Sequence, residues 1–277
     1  MLALVVTVPG SEVEVASDML WALGVMAVEE RAVDVDRSET DDGLVELWTT
    51  MGDDPHQVAR AAEGFPSRWR WHTIEVDESV AGEWRRHAVP SWITPDLVVV
   101  PAWVEEPDQP GITVVRIEPG STFGLGDHPT TVLTLRAVSG VLWPDATVLD
   151  IGCGSGVLAI GAALLGASYV EAIDVAAAAV PTTEANAELN GVAAKIAVSN
   201  RPLAEVEGTF DVVCANILAP VLIDLADHLR RVTSPSGVLV LSGVLEGAHD
   251  HVLDALAPMQ VVDRLHREGW AALVLRH

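Results

Sequence analysis

The sequence predicts an α/β protein with a seven-stranded, mostly parallel sheet in its carboxyl-terminal part and a small α+β domain before it. Two patterns support this fold class. From residue 148 onward, strand-like runs alternate with helices of about ten or more residues, and residues 1–76 follow the order βαββαβ. The length of 277 residues also exceeds the usual size of one domain. We therefore expect domains at 1–76 and 111–277, joined by a connector at 77–110.

The first domain is predicted to be ferredoxin-like, a sheet with two helices on one face. One helix is expected to begin at the capping box Ser11-Glu-Val-Glu14 and to end before Gly24. A second is expected to begin at Asp54-Pro-His-Gln57, with Pro at the first helical position. The expected strands span 2–8, 27–35, 44–49 and 71–76. No residue pattern typical of catalysis is visible here.

The connector is rich in Pro and Trp, and we expect in it a short helix at 80–88 and one strand. The large domain then carries seven expected strands, at 148–150, 169–174, 195–198, 210–215, 237–242, 261–268 and 270–276. The last two expected strands are separated by little more than Gly269. So short a connection leaves no room for the crossover that a parallel pair needs, so these two strands must pair antiparallel.

Composition narrows the function. The chain has 40 acidic and 16 basic residues and a formal charge of −24, which should repel phosphate backbones, so a direct nucleic acid partner is disfavoured. The acidity could steer a basic protein partner or serve only solubility. Two cysteines are too few for a disulfide framework or a thiolate zinc site.

The start of the chain resembles a strand more than a signal peptide, so we expect a cytoplasmic protein. The longest uncharged stretch, at 151–170, contains five glycines and opens as a loop, which argues against a membrane span. We further expect a monomer.

The strongest motif is Asp150-Ile-Gly-Cys-Gly-Ser-Gly156, a strand followed at once by a glycine loop and a helix start. Such loops bind ligands at the carboxyl ends of strands, where Gly152, Gly154 and Gly156 let the backbone approach closely. Val157 stands where a dinucleotide fingerprint needs its third glycine, so NAD is disfavoured. The loop suits a cofactor without pyrophosphate, and we expect S-adenosylmethionine. Asp150 either braces the loop amides or contacts the methionine amino group, and the two roles are compatible.

Two further side chains follow strands of the same sheet. Asp174 ends the next strand, where an acidic residue accepts hydrogen bonds from ribose hydroxyls; alternatively it is the N-cap of the following helix. Asn216 ends the fourth strand. Its amide carbonyl could orient a substrate amine toward the methyl group, which makes it the catalytic candidate, or it could be a turn residue before Pro220.

Upstream lies a glycine-punctuated loop at 119–131 that leads into a helix starting at Pro129. His128 could be a base or a metal ligand, but no Cys or His partner lies at metal spacing, so no metal is expected. Thr131, in the first helical turn, could be a capping residue or a cofactor contact.

Together these motifs resemble the bacterial methyltransferases of the PrmA type, which trimethylate a ribosomal protein at the base of the large-subunit stalk. The most specific element is the Phe-Gly-x-Gly-x-His-Pro-Thr-Thr loop at 123–131, and Asn186-Ala-Glu-Leu-Asn-Gly191 and Ala215-Asn-Ile-Leu-Ala219 follow in the family's order. The resemblance implies that the sheet is the Rossmann-like sheet of class I methyltransferases and that residues 1–76 recognise the substrate.

By the same resemblance, the substrate groups are lysine side-chain and amino-terminal amines of that ribosomal protein. It also implies cofactor contacts at Phe123, Gly124, Thr131, Gly152, Asp174 and Asn216. Two other hypotheses remain open. One is a methyltransferase for another protein or a small molecule, and the other is a cofactor-binding assembly factor without catalysis. The intact glycine loop and Asn216 favour activity over the latter.

Overall fold

The computed structural model describes residues 2–22, 28–32, 43–50, 58, 62, 64–75, 88–118 and 126–277. The chain divides into two compact units, Met1–Ala88 and Val89–His277. The predicted helix at 54–63 lies mostly outside the described residues, and so does the predicted helix at 80–88 apart from Ala88, which is not helical.

The smaller unit contains one four-stranded sheet. Its strands are β1 (Leu2–Pro9), β2 (Glu29–Ala32), β3 (Leu44–Thr50) and β4 (Arg70–Glu75), in the order β2-β3-β1-β4 with every pair antiparallel. Helix α1 (Val13–Ala22) follows a 3-10 turn at Gly10–Glu12, so it starts two residues later than the capping box predicts. Alternate residues of β1 point to this unit's core, which contains Leu4, Val6, Val8, Ala16, Leu20, Leu47, Val58 and Trp69.

The larger unit begins with a three-stranded sheet of β5 (Ser91–Thr94), β6 (Leu97–Pro101) and β7 (Thr113–Ile117). Strand β6 is buried along its whole length and pairs antiparallel with β5 and parallel with β7. The sequence predicts only one strand in the connector and none at 113–117, so this prediction is wrong. These strands are short and lie between Pro-rich segments, so the residues typical of turns on either side favour a loop over a strand in the sequence pattern. The part of the connector from residue 89 onward therefore belongs to the larger unit.

The main sheet of this unit has seven strands in the order β10-β9-β8-β11-β12-β14-β13. The first five of these are parallel, and β14 is antiparallel to both of its neighbours, as the short Gly269 turn predicts. The strands are β8 (Thr147–Ile151), β9 (Tyr169–Ile173), β10 (Ile196–Ser199), β11 (Phe210–Asn216), β12 (Thr233–Leu245), β13 (Gln260–Arg267) and β14 (Trp270–Arg276).

Helices cover both faces of this sheet, because successive residues of each central strand point to opposite faces. Val148 and Val212 join one core and their neighbours Leu149 and Val213 join the other. Helices α2 (Pro129–Val141), α3 (Val157–Leu164) and α4 (Ala179–Leu189) contribute to the first core. Helices α5 (Ala219–Asp224), α6 (Ala226–Val232) and α7 (Asp250–Ala255) contribute to the second.

The strand order reverses between β8 and β11. From β8 the chain proceeds outward to β9 and β10, and it then returns to the other side of β8 to form β11 and β12. Open α/β sheets bind ligands outside the carboxyl ends of strands at such a reversal.

None of the helices in the described ranges combines the length and apolar character needed to cross a membrane.

Candidate functional site

The glycine loop connects the end of β8 to helix α3. Gly152, Gly154 and Gly156 have φ angles of 75°, 54° and 84°, in the left-handed region that other residues rarely adopt. Space also requires glycine at two of these positions. A Cβ at Gly152 would lie 2.5 Å from Ile217 Cγ2, and a Cβ at Gly156 would lie 2.6 Å from Thr183 Cγ2. The loop therefore depends on all three glycines for its conformation.

Asp150 lies beneath this loop with a fully buried side chain. Its Oδ2 accepts a hydrogen bond from the backbone N–H of Ala159 at 3.0 Å, and the Cys214 thiol donates to Oδ1 at 3.7 Å. Burial raises the pKa of Asp150 to about 7. The carboxylate thus braces the first turn of α3 rather than the loop's own amides. Its contact with the methionine amino group stays a prediction.

Asp174 follows β9 and binds two backbone amides. Its Oδ2 accepts from the N–H of Gly154 at 2.9 Å, and its Oδ1 accepts from the N–H of Ala176 at 2.8 Å. Helix α4 begins at Ala179 with Ala178 as its N-cap, so Asp174 does not cap the helix. Each carboxylate oxygen can accept a further hydrogen bond. The predicted contact with ribose hydroxyls is compatible with this geometry and remains a prediction.

Asn216 is the last residue of β11 and lies beside Ser242 of β12. Its side chain is half-buried, and no hydrogen bond of its amide to any described residue is found. The residue that follows, Ile217, is confined by two glycines. A Cβ at Gly152 would lie 2.5 Å from Ile217 Cγ2. A Cβ at Gly243 would overlap the Ile217 carbonyl oxygen and lie 2.8 Å from its carbonyl carbon.

Sequence reasoning missed Gly243, which lies within β12, although a glycine inside a strand is a signal of close backbone approach. It has a φ of 83°, and the β12–β14 register shifts between Leu241 and Val244. This glycine therefore lets the backbone after Asn216 pass close to the end of β12.

His128 is the N-cap of helix α2. Its Nδ1 accepts from the N–H of Thr130 at 3.3 Å and lies 2.8 Å from Thr130 Oγ1, and its ring packs edge-on against Trp270 with a centroid distance of 5.4 Å. Burial lowers the pKa of His128. These contacts give the imidazole a structural role as the cap of helix α2. In the described part of the chain, no group of three or more His, Cys, Asp or Glu side chains could hold a metal ion.

The structure brings most of the predicted residues to one edge of the sheet. Asp150, the glycine loop, Asp174 and Asn216 lie at or just after the ends of β8, β9 and β11, which are neighbouring parallel strands. Phe123 and Gly124 lie outside the described residues.

Comparison with known proteins supplies the family. The model of the family described as ribosomal protein L11 methyltransferase (PrmA) matches residues 3–277. The chain belongs to the PrmA family. The resemblance stated from the motifs is thereby confirmed, and the chain is an S-adenosylmethionine-dependent methyltransferase.

Individual relatives agree with this assignment. A protein of Citrifermentans bemidjiense named ribosomal protein L11 methyltransferase is 41% identical, over 85% of this chain and 79% of its own length. A protein of the same name from Geobacter sulfurreducens is 36% identical over 98% of this chain and 96% of its own length. The crystal structure of ribosomal protein L11 methylase from Lactobacillus delbrueckii subsp. bulgaricus is 33% identical, with a TM-score of 0.63, and covers 68% of this chain and 99% of that one.

The site of this PrmA family member has a group that suits the cofactor. Thr131 is only 1% exposed, and its Oγ1 has no hydrogen-bond partner among the described residues. A buried hydroxyl without a partner costs about 1–3 kcal/mol, so such a group is expected to be satisfied by a ligand or water. Because Thr131 is also a predicted cofactor contact, its unpaired hydroxyl fits a polar group of S-adenosylmethionine.

Proposed function

We propose that this chain transfers methyl groups from S-adenosylmethionine to lysine side-chain and amino-terminal amines of ribosomal protein L11, at the base of the large-subunit stalk. One observation carries the proposal beyond family membership: the side-chain amide of Asn216, which has no hydrogen-bond partner among the described residues, lies at the strand-order reversal, directly after the pairing of Ala215 with Ile151 that precedes the glycine loop. A hydrogen-bonding group in that position suits an amine substrate brought to a methyl donor.

The proposed cofactor site uses the glycine loop and the residues around it. Asp174 accepts hydrogen bonds from the ribose hydroxyls, while its existing bond to Gly154 keeps loop and carboxylate together. The other proposed contacts are Phe123, Gly124, Thr131, Asp150, Gly152, Gly154, Gly156 and Asn216. When bound, S-adenosylmethionine supplies a methyl group on a positively charged sulfur that an amine can attack.

The chain contributes mainly positioning to this reaction. An in-line displacement needs a neutral amine held about 3 Å from the methyl carbon, and orientation alone can supply a large part of the rate enhancement. The side-chain amide oxygen of Asn216 accepts a hydrogen bond from an N–H of the substrate amine. This bond directs the lone pair of the amine nitrogen toward the methyl group. His128 is assigned a structural role in this proposal, because it is the N-cap of helix α2 and its Nδ1 accepts from the N–H of Thr130.

We further propose a division of labour along the chain. Residues 1–76 form a ferredoxin-like substrate-recognition domain and residues 111–277 the class I methyltransferase domain with its Rossmann-like sheet of seven strands. Residues 77–110 are the connector, of which the part from residue 89 onward belongs to the same compact unit as the methyltransferase domain. The antiparallel order β2-β3-β1-β4 supports the ferredoxin-like assignment. The charge of −24 favours a basic protein partner over nucleic acid. We propose a cytoplasmic monomer.

The test is methylation of purified ribosomal protein L11, followed by mass spectrometry. The full chain should add methyl groups to lysine and amino-terminal amines. A chain lacking residues 1–76 should leave L11 unmethylated, although its affinity for S-adenosylhomocysteine should stay within a few-fold of that of the full chain. Circular dichroism of the truncated chain controls for loss of folding. Unmodified L11 with the full chain would favour another protein or a small molecule as substrate. Full activity of the truncated chain would place recognition in the methyltransferase domain.

A further inference from the structure

Helix α4 presents three polar side chains on one face, and these contact backbone atoms of two other segments. Thr183, Asn186 and Asn190 follow at intervals of three and four residues and so lie on the same side of the helix. Thr183 and Asn186 are 0% and 2% exposed. Burying a polar group costs free energy unless it is hydrogen-bonded, so the hydrogen-bond partners of Thr183 and Asn186 show which segments this face of the helix holds in place.

The two asparagines pair with strand β7 in the manner of a neighbouring strand. Asn190 Oδ1 accepts from the N–H of Arg116 at 2.8 Å, and Asn190 Nδ2 donates to the Arg116 carbonyl at 2.7 Å. Asn186 does the same two residues further, directly after the end of β7: it accepts from the N–H of Glu118 and donates to its carbonyl, both at 2.9 Å. The amides thus satisfy the edge of β7 that β6 leaves open.

Asn186 differs from Asn190 in one contact. Its Nδ2 also donates to the carbonyl of Ser155, at 2.9 Å, inside the glycine loop. Thr183 adds a second bond to that loop, from its Oγ1 to the carbonyl of Gly154 at 3.1 Å. The second donor bond of Asn190 goes to the carbonyl of Asn186 within the same helix.

We propose that Asn186 is a positioning residue for the methyl-transfer reaction. Through Ser155 it holds the glycine loop, and through Glu118, the residue directly after β7, it holds the end of that strand. One side chain therefore ties the glycine loop, which carries predicted cofactor contacts, to the end of β7. Glu118 and Ser155 lie 68 and 31 residues away in sequence, so the link is a product of the fold.

The test compares Asn186→Asp with Asn190→Asp in the full chain. Each change keeps the size of the side chain, adds one negative charge and removes two donated hydrogen bonds, but only the first disconnects the glycine loop. We expect Asn186→Asp to weaken S-adenosylhomocysteine binding about tenfold in titration calorimetry and Asn190→Asp to change it about twofold or less, since only the former removes a hydrogen bond to the glycine loop. In steady-state assays, Asn186→Asp should raise KM for S-adenosylmethionine more than KM for the protein substrate.

Thermal unfolding of both variants is the control. Equal destabilisation together with unequal cofactor affinity supports the proposal, whereas equal affinities overturn it and leave Asn186 a purely structural residue. If circular dichroism shows that Asn186→Asp does not fold, the same comparison is made with Asn186→Ala and Asn190→Ala, with the same two outcomes. The binding measurement needs no protein substrate, so it stands even if ribosomal protein L11 proves not to be methylated.

Discussion

Replacing Gly243 by alanine tests how closely the end of β12 confines the backbone after Asn216. A Cβ at this position would overlap the carbonyl oxygen of Ile217. Because that atom is backbone, the strain cannot be relieved by a side-chain rotation. Gly247 provides a matched control: its φ of 77° is close to the 83° of Gly243, but a Cβ there would meet nothing within 4 Å.

The two substitutions share one cost and differ in another. An alanine in the left-handed region costs about 1–2 kcal/mol at either position. The overlap with Ile217 adds about 1–3 kcal/mol for Gly243→Ala, the usual cost of forcing an extra methyl group into a packed site. In a unit of this size each kcal/mol lowers Tm by about 2–4 °C. Gly243→Ala should therefore melt about 2–12 °C below Gly247→Ala.

The same displacement should reach Asn216, since it is bonded directly to Ile217. A shift of about 1 Å in a positioning group can cost about a hundredfold in rate, so we expect kcat of Gly243→Ala to fall at least tenfold below that of Gly247→Ala. Calorimetric melting and release of S-adenosylhomocysteine at saturating cofactor measure the two effects. Identical melting temperatures and rates for the two variants would refute the argument that Gly243 makes room for Ile217.

Three other outcomes are expected. Asp174→Ala should weaken S-adenosylmethionine binding by about 1–3 kcal/mol in titration calorimetry, the loss typical of hydrogen bonds to a charged group, and unchanged affinity would rule out the ribose contact. His128→Ala should retain more activity than Asn216→Ala in steady-state assays, because catalysis rests on positioning; the reverse order would point to a base. Burial raises the pKa of Asp150 from 3.8 to about 7, so the folded state holds its proton more tightly and the free energy of unfolding should fall as pH rises through that window. Urea unfolding of Asp150→Asn should lack this fall, and an equal pH dependence in both proteins would contradict the assignment.

The approximate positions of the main-sheet strands and the glycine loop follow from the sequence because both have local causes. A buried strand needs a short apolar run, and a left-handed turn needs glycine, so the motif from Asp150 to Gly156 is visible without a fold. The antiparallel pairing of β13 and β14 is equally local, since Gly269 leaves no room for a crossover. In each case the residues that specify the structure lie within the element itself or directly beside it in the sequence.

Strand β12 shows where local signals mislead. The residues Ser234-Pro-Ser-Gly237 are typical of a turn, so the strand was expected to start at Gly237, yet it starts at Thr233. Thr233 pairs with Phe210 of β11, and a register shift between Phe210 and Val212 accommodates the intervening residues. Pairing with a neighbouring strand therefore overrides the turn preference of the segment.

The roles of single side chains in the site were decided by the tertiary structure. The family motif that contains Asn186 marks the residue, but only the fold shows that its amide joins Glu118 to Ser155. Likewise, the sequence left open whether Asp150 braces the loop amides or contacts the methionine amino group, and only the fold shows that it accepts from the N–H of Ala159 in α3. A hydrogen bond between a side chain and a backbone distant in sequence requires no periodicity and no particular neighbour. The sequence by itself therefore specified which segments form the site, and the packing of α4, β7 and the glycine loop decided which atoms meet.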